Sequence, residues 1–204
     1  MSMIPDKPPF KLLDILYKKE FILFVVLVSI LIINSNISPY FLDLYNLIDS
    51  TFLFSEKAII ALTMTFVIIA RQIDLSVASI IAVSSCVLGY TTSLGYDTWS
   101  VISLTLLSGA ICGAFNGAII TKFAIPSIIV TIGTMSLFRG LAYSFLEDSY
   151  YNKFPKLVSN LGGGYLFGYI PYAFLTFIIL AIIFAFILHK TSVGKKIYSI
   201  VNNP

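Results

Sequence analysis

The chain has 204 residues, of which 58% are hydrophobic and only 11% charged, with a formal net charge of +3 and a mean hydropathy of +0.94. A soluble domain averages about 45–50% apolar and about 25% charged residues, so the composition is that of an integral membrane protein. The apolar runs are helix-length rather than short and alternating, which excludes an outer-membrane barrel and predicts an all-α, polytopic membrane helix bundle.

The first 20 residues are polar and carry Lys7, Lys11, Lys18 and Lys19. They read as a cytoplasmic N-terminal segment, because the apolar run after them lacks the A-x-A-like site of a cleavable signal peptide. Six spans follow, each near the ~20 residues that cross the hydrocarbon core. They are predicted at about Phe21–Ser38, Thr51–Ala70, Leu75–Leu94, Trp99–Thr121, Ile125–Leu146 and Pro171–Leu188. The second is the least regular, because Glu56 and Lys57 shorten its uncharged part to Ala58–Ala70.

Between the second and third spans, Arg71-Gln72-Ile73-Asp74-Leu75-Ser76-Val77-Ala78-Ser79 sets an ionisable pair and two hydroxyls between apolar runs. A charge at the centre of a bilayer costs roughly 2.5–3.5 kcal/mol on insertion scales. This stretch therefore marks a membrane boundary or lines a wet path. In the fourth span Gly109, Gly113 and Gly117, flanked by Ala110, Ala114 and Ala118, form a smooth strip suited to close helix packing. Asn116 beside it suits a bond across to another helix, or to a solute. In the fifth span Thr131, Thr134, Ser136 and Arg139 interrupt an apolar background. Thr131, Thr134 and Arg139 recur on roughly one helical face, while Arg139 is also close enough to the span's end to snorkel to headgroups. Pro126 suits the first turn of that helix.

The long connection Glu147–Ile170 carries Tyr150, Tyr151, Tyr165, Phe167 and Tyr169 around Gly162-Gly163-Gly164. It reads as an interfacial aromatic belt or as a docking surface or lid. His189 sits beside Lys190 as an ordinary interfacial residue, and Cys86 and Cys112 read as small buried side chains. After Lys190 a short amphipathic pattern with Ile197, Tyr198, Ile200 and Val201 is too apolar for a solvated tail and predicts a surface helix.

Lysine and arginine asymmetry sets the orientation. With the N-terminus inside, the inner ends carry Lys7, Lys11, Lys18, Lys19, Arg71, Lys122, Lys190, Lys195 and Lys196, nine of the thirteen basic residues. The outer ends hold Lys57, Lys153 and Lys156 and collect most of the acids, Asp148 among them. Both termini are expected inside. No G-x-x-x-x-G-K-[ST] pattern, nucleophile–base set or metal-ligand spacing occurs, so neither an enzyme nor a nucleotide site is indicated, and nothing points to nucleic acid.

Three segments resemble the membrane permeases of bacterial ABC importers of the ribose/monosaccharide type, which include autoinducer-2 permeases. Ile73–Ser79 resembles that family's Gly-Gly-Ile-Asp-Leu-Ser-Val-Gly-Ser signature. Phe115-Asn116-Gly117 through Pro126 to Met135, continued by Arg139-Gly140, is similar to its F-N-G … P-x-x-I-x-T-L-G-T-M block. Thr191-x-x-Gly194-Lys195-Lys196-Ile197-Tyr198 resembles its cytoplasmic T-x-x-G-R-x-I-Y segment. Arg71-Gln72 stands where the family has Gly-Gly, and Ala78 replaces a further glycine, which restricts a sharp bend or unwound segment at that point.

The resemblance implies a permease domain over residues 21–189 and a cytoplasmic coupling segment over 190–204. It further implies transport of a monosaccharide across the bacterial cytoplasmic (inner) membrane, with no cofactor in this chain and ATP bound by partner ATPase subunits. A periplasmic sugar-binding protein and a second permease copy or paralogue would complete the assembly in the lipid bilayer. Asp74, Ser76, Ser79, Asn116, Thr131, Thr134 and Arg139 are the expected solute-path residues, and Thr191, Gly194, Lys195 and Tyr198 the expected coupling residues. Such permeases run to about ten spans in two related halves, so a six-span chain is expected to be truncated. An ATP-independent carrier or channel, with Asp74 and Arg139 as ion sites, or a non-transporting fragment, are the other readings.

Overall fold

The computed structural model describes residues 19–147 and 150–202. Lys7, Lys11 and Lys18 of the basic N-terminal segment, Asp148, and the last two residues of the coupling segment lie outside them. The described chain is almost wholly helical. In order it forms α1 (Lys19–Ile37), α2 (Leu44–Ile69), α3 (Val77–Ser93), α4 (Thr98–Phe123), α5 (Ser127–Leu146), α6 (Lys156–Gly163), a two-stranded hairpin β1 (Tyr165–Leu166) and β2 (Ile170–Pro171), α7 (Tyr172–Lys190) and α8 (Ser192–Asn202). The hairpin pairs Tyr165 with Pro171 and Leu166 with Ile170, antiparallel.

Two compact units are present, Met1–Ser50 and Thr51–Pro204. In the first, α1 buries none of its residues. Its polar side chains avoid leaving donors in an apolar setting by bonding back along the helix: Asn34 and Asn36 donate to the carbonyls of Ile30 and Ile32 at 2.8 and 2.7 Å.

The second unit is organised around α3, which packs against both α4 and α5. Val83 and Cys86 of α3, Cys112 of α4, and Phe138 and Ala142 of α5 form the core, with Ile80 and Leu146 beside it. Both cysteines are free and buried. A second seam is aromatic: Phe54 meets Phe177 edge-on at 6.0 Å, and Phe66 meets Phe184 at 5.2 Å, joining α2 to α7. Large apolar side chains elsewhere face outward, Leu106 and Ile182 for example. That is the arrangement expected where lipid rather than water surrounds the helices.

Among the described residues five helices are long and apolar enough to cross a membrane: α1, α2, α4, α5 and α7. The third predicted span differs from its expectation. Its helix, α3, has 17 residues and a length of about 25 Å, somewhat short of a ~30 Å hydrocarbon core. An irregular, non-helical segment from Gln72 to Ser76 leads into it, where a helix from Leu75 was expected. α2 begins seven residues before its predicted start at Thr51. Pro126 caps α5 from outside rather than filling its first turn. The connection after α5, from Tyr150 on, holds a short helix and a hairpin as well as aromatic side chains. Tyr165 stacks on Phe52 at 6.5 Å, whereas Phe167 and Tyr169 are exposed.

Candidate functional site

The break between α2 and α3 makes the candidate site. α2 ends when the Gln72 amide donates to the Val67 carbonyl at 3.0 Å and the Arg71 amide to Ile68 at 2.9 Å. This pair of bonds is a Schellman termination. It requires a left-handed residue at Arg71, whose φ is +56°. The sharp turn that glycine would make easily is thus made by arginine, at the steric cost of about 1–2 kcal/mol for an L-residue in that region. The substitution of Arg-Gln for Gly-Gly leaves the helix break intact.

Beyond the turn, Asp74 folds onto the start of α3. Its Oδ1 accepts from the Ser76 amide at 2.8 Å and from the Ser76 hydroxyl at 2.6 Å. Ser76 is fully buried, as is Ser79, whose hydroxyl donates to the Ser76 carbonyl at 2.7 Å. From α4, Asn116 Nδ2 donates to Ser76 Oγ at 2.8 Å. Amide, hydroxyl and carboxyl therefore form one relay across 40 residues of sequence, and the low local dielectric strengthens each link. From α5, the Ser127 hydroxyl accepts from the Ile73 amide at 3.0 Å, and Thr131 Oγ1 donates to the Ile73 carbonyl at 3.3 Å. These bonds satisfy backbone groups that a non-helical segment leaves without helical partners. Thr134 lies one turn further on, buried, its hydroxyl directed to the Thr131 carbonyl at 3.4 Å.

One polar atom is left over. Asn116 is 4% exposed, and its Oδ1 is buried with no hydrogen-bond partner among the described residues. An unfilled buried acceptor costs free energy unless something donates to it. The arrangement thus offers one acceptor for a hydroxyl or a water among oxygens that otherwise bond to each other.

Asp74, Ser76, Ser79, Asn116, Thr131 and Thr134 come together as the sequence suggested. Arg139 does not join them. The buried face of α5 runs Ser127, Val130, Thr131, Thr134, Phe138, Ala142, so Phe138 continues the threonine face and Arg139 is turned off it, exposed. Arg139 is also roughly 12 Å along the helix from Thr131, lining a separate cavity with Ser85 and Tyr143. Ser127 is the participant not anticipated among the site residues. Its position just after Pro126, with a hydroxyl free to serve another segment, was the available signal.

The glycine strip of α4 is used at one point only. A Cβ at Gly109 would meet Ser84 Oγ at 3.2 Å, while one at Gly113 or Gly117 would meet nothing within 4 Å among the described residues. Instead Val101, Cys112 and Asn116 form the face that α4 buries.

The coupling candidates cluster where α7 turns into α8. Thr191 Oγ1 donates to the Ile187 carbonyl at 2.6 Å and accepts from the Gly194 amide at 3.4 Å, so it closes α7 and opens α8. A side chain at Gly194 would strike the Leu188 carbonyl, which is why the two helices can fold so closely there. Lys195 and Tyr198 are exposed. Among the described residues no group of three or more His, Cys, Asp or Glu is placed to hold a metal ion.

Residues 46–204 match the family described as branched-chain amino acid transport system / permease component. The chain belongs to this permease family. It is 32% identical to the ribose import permease protein of Haemophilus influenzae over 88% of this chain and 57% of that protein. It is 31% identical to an autoinducer 2 import system permease protein of Klebsiella pneumoniae over 91% of this chain and 57% of that protein. A second autoinducer 2 import system permease protein, from Escherichia coli, is 32% identical over 71% of this chain and 42% of its own length. The chain thus spans about half the length of the curated relatives it matches. No solved structure matches it. Its family membership agrees with a multi-pass membrane protein, as do the five long apolar helices among its described residues.

Proposed function

We propose that this permease is the membrane-spanning subunit of an ATP-driven importer of a small, hydroxyl-rich solute of the monosaccharide class, working in the bacterial cytoplasmic (inner) membrane. The observation that carries the reading is the junction at the α2–α3 break, where Asn116, bonded through Nδ2 to Ser76 Oγ, keeps its Oδ1 buried and without a partner among the described residues. A sugar hydroxyl has the donor that this acceptor lacks, and Ser79 and Thr134 extend the same polar lining. The names of the relatives, import permeases for ribose and autoinducer 2, support the solute class.

Energy would come from ATP bound by a partner ATPase on the cytoplasmic side, and solute from a periplasmic binding protein, with a second permease copy or paralogue completing the path. α8 is the surface on which ATPase closure would act. It has one polar and one apolar face, with Tyr198 exposed, and Thr191 and Gly194 tie it to α7.

The test is uptake of labelled solute by cells carrying the complete importer. Asn116→Ala and Asp74→Ala should each lower uptake by roughly tenfold or more per correctly inserted copy of the permease, since an oriented hydrogen bond to a polar group contributes about 1.4 kcal/mol. Unchanged uptake in both variants would remove the path assignment. Vanadate should block uptake; uptake that ignores vanadate and collapses with an uncoupler would favour an ATP-independent carrier. A photo-crosslinker at Tyr198 should capture the ATPase subunit.

A further inference from the structure

We infer that the cavity around Arg139 is a second solute site, an outer receiving site for a hydroxyl-rich ring. This rests on the monosaccharide reading above. The cavity has a volume of about 470 Å³ and is bounded by Ser85, Arg139, Tyr143, Tyr150, Tyr151 and Phe154 over a floor of small residues. That size lies in the range of small-molecule sites, which are mostly apolar with a few placed polar groups.

Its construction explains why it is open. Ala82 and Cys86 on α3 and Ala142 on α5 are small, so the two helices leave space between them at this level. The roof comes from the chain after α5. Gly89 is buried, and any side chain there would collide with the ring of Tyr151. The Tyr151 ring therefore seats directly on the α3 backbone and draws the Tyr150–Phe154 segment back across the end of the helix. On its other side the same pair, Tyr150 and Tyr151, bounds a second opening lined by Thr92, Ser93, Asn152 and Lys153. The aromatic pair thus stands between a polar mouth and the Arg139 cavity.

The chemistry of the lining selects the ligand class. Aromatic faces and small apolar side chains cover the C–H faces of a ring. The guanidinium of Arg139 offers a planar fork of donors, and the phenols and the Ser85 hydroxyl each donate and accept. A guanidinium within an apolar span is retained where it meets water or a ligand, and the cavity supplies that setting. Arg139 is thereby given a role that its separation from the Asp74–Asn116 junction leaves open.

The experiment uses the full chain with Cys86 and Cys112 replaced by alanine and Ser85→Cys introduced, in vesicles of phosphatidylethanolamine and phosphatidylglycerol. The rate at which an impermeant methanethiosulfonate labels position 85 from outside is measured with D-ribose, D-glucose, D-galactose or inorganic phosphate present. At least one sugar should slow labelling by roughly fivefold at saturation, and phosphate should not. Arg139→Gln should raise the half-protecting sugar concentration by roughly tenfold, the loss expected for one charge-assisted bond. Tyr143→Phe, which removes a single hydroxyl and keeps the ring, should raise it less, and it carries the test if the arginine variant fails to insert. The site is overturned if no sugar protects, if protection is unchanged in both variants, or if phosphate alone protects. Labelling reads binding without ATP. Protection together with vanadate-insensitive uptake would keep the site and remove the importer reading, whereas vanadate-sensitive uptake without protection would do the reverse.

Discussion

α3 begins in a knot of hydrogen bonds and ends beside an open cavity. At its start Asp74, Ser76 and Asn116 bond to one another at 2.6–2.8 Å, and Ser127 and Thr131 hold the backbone of Ile73. At its end Gly89 lies under an aromatic ring, and Arg139 and three tyrosines surround unfilled space. Helices in lipid lack the hydrophobic drive that packs soluble bundles, so specific polar contacts and close backbone approach are what fix one helix against another. The first region uses both hands of that device to hold α3, α4 and α5 in register. In the second, small residues keep two of those helices from closing on each other. One end of the helix is a bonded junction with a single acceptor to spare, and the other borders an open cavity.

Substitutions can break this contrast, and the largest effect is expected at the knot. Asp74→Ala leaves the Ser76 amide and hydroxyl without their shared acceptor. SDS-titration unfolding should register a loss of about 2–3 kcal/mol, toward the upper end for leaving buried donors without an acceptor. A loss as small as that of a surface change would mean that the knot is not what holds α3. At the other end Gly89→Val forces Tyr151 off its seat. A cost of about 1–3 kcal/mol follows from overpacking, with faster labelling of Ser85→Cys as the roof lifts. Arg71→Gly sharpens the comparison from the opposite direction. It relieves the left-handed strain at the Schellman turn and should stabilise by about 0.5–1 kcal/mol after the extra freedom of the unfolded chain is counted. Thr131→Val removes one bond, at 3.3 Å to the Ile73 carbonyl, and should cost only about 0.6 kcal/mol, the mean for such bonds between membrane helices.

The smallest effect concerns Asp97, which caps α4 and is fully exposed. The Ser100 hydroxyl donates to it at 2.6 Å, with the Ser100 and Trp99 amides assisting at 3.1 Å, and these bonds lower its pKa. Because the folded value lies below the unfolded one, near 3.9, the cap's contribution is complete above that value and fades as pH falls through the folded one. A small acid-side loss of stability should therefore disappear in Asp97→Asn, whose amide oxygen still caps.

Much of the site was legible in the residues. Asp74 and the two serines stood out because polar groups between apolar runs need partners, and Asn116 because an amide in an apolar helix needs one too. What periodicity misjudged was Arg139. Five positions beyond Thr134 it is about 140° round the helix, and Phe138, one position before it, takes the inward face. The strip of glycines misled for a related reason. A run at every fourth position marks a smooth face, but which face of α4 meets α3 is decided by where Val101, Cys112 and Asn116 fit, and Gly113 and Gly117 fall outside that contact.

By itself the sequence determined that this is a membrane helix bundle, roughly where its long apolar helices lie, and to which permease family it belongs. Apolar length, punctuating charges and three ordered motifs are properties of the chain read in one dimension. Only the tertiary structure decided that Arg71 can take the left-handed turn, that Asn116 reaches Ser76 with one oxygen to spare, and that Tyr151 rests on Gly89 beside an open cavity. These depend on which groups meet across tens of residues, and close approach, burial and hydrogen-bond pairing are settled only where the helices come together.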